Sequence, residues 1–552
     1  MKFKRILFIL AFLLCSFSSF SYAQLNWVKY VYFQNWGGLN DHLSSTEIQD
    51  GEATEIQNVI FDTGGALKKR FGYFTIPNEG TQIKVATGSV VAVTGLSFFE
   101  ENDGTKHLVA VTQNDDAATV MKKTYSGNVL SLTTGWDNID ATTIMPPSPD
   151  YDYDDICDFA VAENVLVFTV GLQYKPFKWT GEGNVSLFSS DTDIPNATMV
   201  EYHKNQLFLA GDEDNPSRVY FSNLDDIFNF TNTDFFDVET ADGSKIRGMI
   251  SALDSLYIFK DRSVWKLSGW AKDSFILQKV VTGIGSLSQH SIVMVNNLIY
   301  FTTEQNDIAV YDGGYDVKFL SQKIRNTIGT LNYTRANKNL GLAFSTYKYA
   351  DADYYASVSN GGSATHNRVL MFDTAFSAWT VFLGLNPNTW VVADDPSGQN
   401  ALFFGDADGY VHRYPSTSYF DGNVTTNAIS AFYQTKWFRY PEVSLGEKDW
   451  RLLKTYAVAQ DSETAFLFAE VKADQESSGR ILTIDLSPLP GSALWDVALW
   501  DVGVWGGVNI VIDRQEIDKG ENMFQIRFSN DTDDQGFEIL GWEIFIEPNE
   551  RI

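Results

Sequence analysis

The sequence predicts an all-β fold: a β-propeller of six or seven blades followed by a C-terminal antiparallel β-sandwich. Three observations lead there. Aromatic residues make up 14 % of the 552 residues and apolar residues 44 %. That composition excludes bulk disorder and suits strands, where Phe, Tyr and Trp pack across neighbours. Short apolar runs alternate with the Asn-, Asp- and Gly-bearing turns that tight hairpins need. The strand–turn–strand units recur about every 40–50 residues, and one such unit cannot bury both its faces alone, whereas a ring of them can.

The first 23 residues read as a secretory leader or an extra N-terminal addition. Lys2, Lys4 and Arg5 give a basic start, residues 6–14 are unbroken apolar, and Ser21-Tyr22-Ala23 offers small residues for cleavage before Gln24. The run is short for a membrane span. The other readings are a buried N-terminal helix or a misassigned start. Residues 24–84 follow as an attachment and closure segment. Within it, 50–73 (DGEATEIQNVIFDTGGALKKRFGY) combines an acidic, helix-like half with a strand that enters the ring, turning at Gly64-Gly65.

Residues 85–420 form the expected propeller. Its hairpins turn at Asn102-Asp103-Gly104, Glu163-Asn164, Lys204-Asn205, Asp254-Ser255, Asp261-Arg262, Asn296-Asn297 and Asn306-Asp307. The run DADG at 406–409 is a turn of the last blade. Residues 421–552 form the expected sandwich, because 448–474 and 521–548 alternate apolar and polar residues over long runs. Between them stand Trp495, Trp500 and Trp505. They read as strand ends capping the sandwich core, against the alternative of a sugar-stacking or membrane-interface patch.

The chemistry-bearing residues point away from catalysis. A formal charge of −29 excludes a general nucleic-acid binder. Cys157 is alone once Cys15 goes with the leader, and reads as a small core residue. The six histidines, at 42, 107, 203, 290, 366 and 412, have no metal-ligand spacing. No nucleophile elbow or phosphate loop is present. Most carboxylates fall in turns, where Asp bonds its own backbone. The sequence therefore predicts no enzyme, no cofactor and no metal. The densest carboxylate run, Asp150 to Asp158, would suit calcium but lacks the central Gly of an EF-hand loop, and reads as a solvated linker after Pro146-Pro147-Ser148-Pro149. Lys68, Lys69 and Arg70 form the one basic triplet outside the leader. They are candidates for a protein contact, with a DNA contact or a solvated strand end as alternatives.

The stretch 32–73 resembles the opening of tail nozzle proteins (tail tubular or hub proteins) of short-tailed bacteriophages. The likeness rests on Gly37-Gly38-Leu39-Asn40, then Glu52, Glu55 and Asn58, then Gly65, Leu67, Arg70 and Gly72 in a Gly-x-Leu-x-x-Arg-x-Gly closure. The runs at 218–230 and 283–314 resemble the middle blades of those proteins. KDWRLL at 448–453, VWGG at 504–507 and the stretches at 523–530 and 537–544 resemble their closing domain. The resemblance implies a structural virion protein of the tail, six copies in a ring below portal and adaptor. Its partners would be the adaptor and other tail proteins, with no membrane in the mature form. DNA would pass along the axis without specific binding, the basic triplet lying at a contact with another protein. An acidic wall suits such a channel, since each Lys or Arg contact to phosphate adds affinity. The family carries no catalytic residues, so none is transferred. The leader departs from the family pattern and supports a second reading: a secreted or periplasmic propeller that binds, or hydrolyses, glycan or protein.

Overall fold

A computed structural model describes residues 29–548 apart from 77–90, 114–117, 127–128, 131–134, 141–154, 171–173, 190–192, 346–351, 396–397, 423–426, 442, 444–446, 461–464 and 488–509. The leader, Asp150–Asp154 of the carboxylate run, and Trp495, Trp500 and Trp505 lie outside the described residues.

The chain is all-β, and among the described residues seven antiparallel blades make up the propeller, the first of five strands and the other six of four. The innermost strands are, in order, Ala92–Glu100, Asp158–Ala162, Met199–His203, Ile246–Ala252, Val293–Val295, Leu340–Phe344 and Thr389–Asp394. In blades 2 to 6 the strands follow one another in sequence, and in blade 1 the short strands Val129–Leu130 and Asp137–Asn138 both pair with Ala118–Ser126. Blade 7 is different: its fourth strand is Phe74–Ile76, which pairs with Val411–Tyr414. The N-terminal segment thus closes the ring, locking the last blade with a strand from the start of the chain.

The turns explain the local register. Glu163-Asn164, Lys204-Asn205 and Asn296-Asn297 each have two residues with φ between 47° and 64°. That left-handed pair defines the hairpin turn whose twist matches the flanking strands, and Asn tolerates it best. The expected turn at Asp254-Ser255 sits one residue earlier, at Leu253-Asp254. Ser255 is needed as the first residue of the next strand, opposite Ala252.

Between blades, apolar faces meet in separate cores. Phe99, Val109 and Val111 pack on Leu166, Phe168 and Trp179. Phe208 and Phe221 pack on Ile258 and Leu267. Phe259 packs on Phe301 and Tyr311. At blades 5 and 6 the core continues without a break through Tyr300, Tyr354 and Trp379 into the sandwich residues Trp450, Phe528 and Trp542.

The sandwich has two sheets, and both take strands from the two chain ends. One orders Val59–Phe61, Leu67–Lys69, Glu538–Pro548, Lys448–Val458 and Ile510–Glu521, with Lys29–Phe33 also pairing on Glu538–Pro548. The other orders Ala53–Gln57, Ala431–Thr435, Phe524–Asn530, Phe466–Ala473 and Arg480–Asp485. Two expectations for 50–73 are corrected here. Its acidic half is a turn leading into a strand, not a helix, because Ala53–Gln57 finds a partner in Ala431–Thr435. The hairpin around Gly64-Gly65 belongs to the sandwich, and the ring is entered only by the strand that follows it.

Candidate functional site at the propeller–sandwich junction and the channel mouth

The basic triplet occupies the junction. Lys68 is about one-third exposed and pairs with Asp62 and Glu538, each at 3.0 Å. Lys69 and Arg70 are buried. The expectation that these two contact another protein is therefore corrected: they point inward and serve the chain itself. Lys69 Nζ donates to Asn530 Oδ1 at 2.7 Å, and burial, with Arg70 beside it, pulls its pKa down to about 8. Arg70 grips Asp421 with both Nη atoms, at 2.9 and 2.7 Å, and donates Nε to Asn58 Oδ1 at 2.9 Å and Nη2 to the Leu383 carbonyl at 2.7 Å. A bidentate guanidinium–carboxylate pair is among the stronger polar contacts a protein makes.

Asn58 completes the knot. Its φ of 53° turns the chain between two strands that belong to different sheets. Its amide nitrogen donates to the Ser430 carbonyl at 2.9 Å, and its amide oxygen also accepts from Leu383 N–H at 2.9 Å. Asn58 and Arg70 together tie blade 6, the linker at 421–430 and the N-terminal hairpin at one buried point. Glu52 does similar work nearby. It accepts from Asn40 Nδ2 at 2.8 Å and Gln49 N–H at 3.0 Å and pairs with Lys323 at 2.9 Å. Burial opposes its charge, but these partners outweigh that and hold the carboxyl below its usual range. Two glycines sit where no side chain fits: a Cβ at Gly38 would overlap the Trp379 backbone, and one at Gly72 the Phe420 carbonyl.

The second element is the propeller axis. On the face where each innermost strand begins, a cavity of about 280 Å³ is lined by Asp155, Asp212, Glu213, Lys245, Arg247, His290 and Lys338 among others. Some of these charges are paired, Lys338 with Asp155 at 3.6 Å and Arg247 with Asp261 at 2.6 Å. Of the carboxylate run, Asp155 thus faces a lysine, and Asp158 is engaged in the channel wall. His290 on the cavity floor is kept neutral by burial and by Lys338, its pKa pushed down to about 4.

Below the mouth, side chains stitch adjacent innermost strands. Asp158 accepts from Val200 N–H at 2.9 Å, and Glu201 from Ser251 N–H at 3.2 Å. Gln289 both accepts from Met249 N–H at 2.6 Å and donates to its carbonyl at 3.0 Å. Both carboxylates keep a little surface on the lumen but are surrounded by protein. Burial pushes Asp158 up to about 7, and burial with the Asp158 charge pushes Glu201 up to about 8. Sequence reasoning placed carboxylates in turns and missed this pair. The available signal was weak: Asp158 opens one innermost strand and Glu201 is the third residue of the next, and the other innermost strands carry no acidic residue near their start. Cys157 is a buried core residue whose thiol burial pushes up to about 12, giving it no thiolate character at neutral pH. Among the described residues no group of three or more His, Cys, Asp or Glu is placed to hold a metal ion. No described helix is long and apolar enough to cross a membrane.

No protein-family model matches the chain, and no curated protein matches it. Solved structures with a similar fold include the Pan2 WD40 domain of Neurospora crassa, at 10 % identity over 65 % of this chain and 98 % of that one, with a TM-score of 0.36. YCF48 bound to D1 peptide matches at 12 % identity over 63 % of this chain and 96 % of that one, TM-score 0.37. The extracellular domain of a hybrid two-component system from B. thetaiotaomicron matches at 10 % identity over 75 % of this chain and 47 % of that one, TM-score 0.40. Likenesses this distant leave function to be argued from this chain's own residues.

Proposed function

We propose that this chain is a non-catalytic binding and assembly protein, a propeller held by its own sandwich that engages other macromolecules through the faces and rim of the ring. The observation that carries this reading is the junction. Asn58, Arg70 and Asp421 fix the ring to the sandwich through buried, charge-assisted bonds. Such a unit suits a part that must hold its shape under load or present fixed loops to a partner. Protein or glycan is the class of partner that a propeller face fits.

Within that reading we place the chain in the tail nozzle of a short-tailed phage, as a hexameric ring around the DNA path. The support is the order of motifs: Gly37-Gly38-Leu39-Asn40, Asn58, Gly65, Leu67, Arg70 and Gly72. Gly38, Asn58, Arg70 and Gly72 are the residues on which the junction depends. The acidic balance of −29 suits a wall past which DNA slides. The second reading, a secreted propeller that binds protein or glycan, is favoured by the leader at 1–23.

Mass spectrometry of purified particles and of particle-free culture fluid separates the two. The nozzle reading expects the chain in virions at six copies per particle. Its absence from virions and recovery as a free exported protein would replace it with the secreted propeller. Turnover of a glycan by purified protein, abolished by one carboxylate substitution, would overturn the non-catalytic reading altogether.

A further inference from the structure

On the opposite face of the ring, blades 3 and 4 present a cluster that the assembly role does not use. Trp270 lies in the loop between Ser263–Ser268 and Ile276–Thr282 and is 61 % exposed. The loop is built to hold it. Gly269, at φ 112°, turns the chain where a side chain would be strained. Ser274 Oγ accepts from Trp270 N–H at 3.0 Å and Ala271 N–H at 3.1 Å, and donates to the Ala271 carbonyl at 2.9 Å. The backbone that carries the indole is thus braced.

Polar groups from two blades surround it. Lys204, in the first turn of blade 3, reaches across to place Nζ 4.9 Å from the indole centroid. It is held there by Asp254 in the first turn of blade 4, through the carbonyl at 2.8 Å and Oδ1 at 3.1 Å. The Asp254 side chain is 86 % exposed, so it still has lone pairs facing solvent. Beside Lys204, Asn205 donates to Asp225 Oδ1 at 2.8 Å. Lys204, Asn205, Asp225 and Asp254 all have left-handed backbone, which fixes the turns that display them.

We propose that this cluster is a saccharide subsite for a neutral hexopyranose. The apolar C–H face of the sugar would stack on Trp270, and its hydroxyls would bond Asp254, Asn205 and Asp225. Three features select that class. An exposed indole on a braced loop offers a flat apolar surface. Its neighbours are carboxylates, an amide and an ammonium, which bond hydroxyls well and give an apolar peptide little to pack against. The carboxylates of Asp225 and Asp254 belong to the cluster, and the one ammonium in it, Lys204, is already paired with Asp254, so a uronate or sialate would be disfavoured. The inference goes beyond the assembly reading and stands or falls independently of where the chain works.

The test is saturation-transfer NMR on the full chain with methyl β-D-galactopyranoside, methyl α-D-glucopyranoside and methyl α-D-mannopyranoside, and methyl β-D-glucuronide as the charged control. Transfer to ring C–H protons of at least one neutral glycoside and none to the glucuronide is expected. Trp270→Ala should lower affinity by at least ~10-fold, while Trp270→Phe keeps part of it. Asp254→Asn, which retains the fold of the turn, should weaken binding without abolishing stacking. No transfer from any of the three neutral glycosides overturns the proposal and leaves Trp270 to a protein contact. Transfer that survives Trp270→Ala with an unchanged melting temperature overturns it equally.

Discussion

The blades and the sandwich are assembled by opposite rules. In blades 2 to 6 each strand pairs with its neighbour in sequence, through connections of 13 residues or fewer. In the sandwich, Ala53–Gln57 pairs with Ala431–Thr435, and Lys29–Phe33 pairs with Glu538–Pro548. Blade 7 stands between the two, with three local strands and a fourth from the start of the chain. Local hairpins need little loop-closure entropy to form, whereas pairings across hundreds of residues must wait for the ring that brings their ends together. The difference teaches where this molecule is vulnerable. A change in one blade is felt in the cores it shares with its neighbours, whereas a change at the junction reaches ring closure and sandwich at once.

The largest effect is expected at Arg70. Arg70→Met removes one partner of a buried, bidentate pair and leaves Asp421 unpaired, so stability should fall by about 3–5 kcal/mol in denaturant titration. A loss like that of a surface pair would mean the junction is not buried as described. Next comes Gly72→Ala, which forces a methyl against the Phe420 carbonyl. It should destabilise by about 1–3 kcal/mol, and the same change at Gly243 or Gly283, where nothing lies within 4 Å, should show only the milder strain of a left-handed backbone.

The channel wall should respond to pH rather than to cutting. Asp158 and Glu201 hold their protons more tightly in the folded protein than in the unfolded chain, with folded pKa values of about 7 and 8. Their contribution is therefore full below the unfolded carboxyl range, near pH 4, and is lost as pH rises through about 7 and 8. The two interact, so they titrate as a pair. The difference in stability between wild type and the Asp158→Asn, Glu201→Gln double variant should change across that window, by at most about 2.7 kcal/mol per pH unit when both carboxyls are protonated in the folded state alone. A constant difference from pH 4 to pH 8 would show that the wall carries no such protons. The smallest effect is expected for Lys68→Ala, within about 1 kcal/mol, because its pairs with Asp62 and Glu538 are partly solvated. Three adjacent basic residues should thus give unequal losses, and equal losses would contradict the assigned burial.

Much of the propeller was legible because its signals are local. Glu163-Asn164 and Asn296-Asn297 announce left-handed turns by residue type, and each unit repeats the same apolar strand pattern. The long alternation of 448–458, 524–530 and 538–548 likewise announced the sandwich sheets. The placement of 53–69 was not legible, since the strands outside its own hairpin that it pairs with lie more than 350 residues away and nothing in its own pattern says which sheet it joins. Lys69 and Arg70 illustrate the point. A run of three cations reads as surface, and only Asp421 and Asn530, delivered from the far end of the chain, make burial of two of them tolerable. Asp158 and Glu201 were hidden for a related reason: an acidic residue on a strand faces a channel only once seven blades have closed around it.

Hydrogen–deuterium exchange on the full chain and on Arg70→Met tests most directly whether residues 29–69 and the C-terminal strands are one cooperative unit. The structure predicts that Arg70→Met raises exchange together in 29–33, 53–69, 431–435 and 524–548, while the innermost strands of blades 2 to 4 keep their protection. Loss confined to 53–69, with the C-terminal strands still protected, would show a sandwich that stands without its N-terminal strands and would contradict the account.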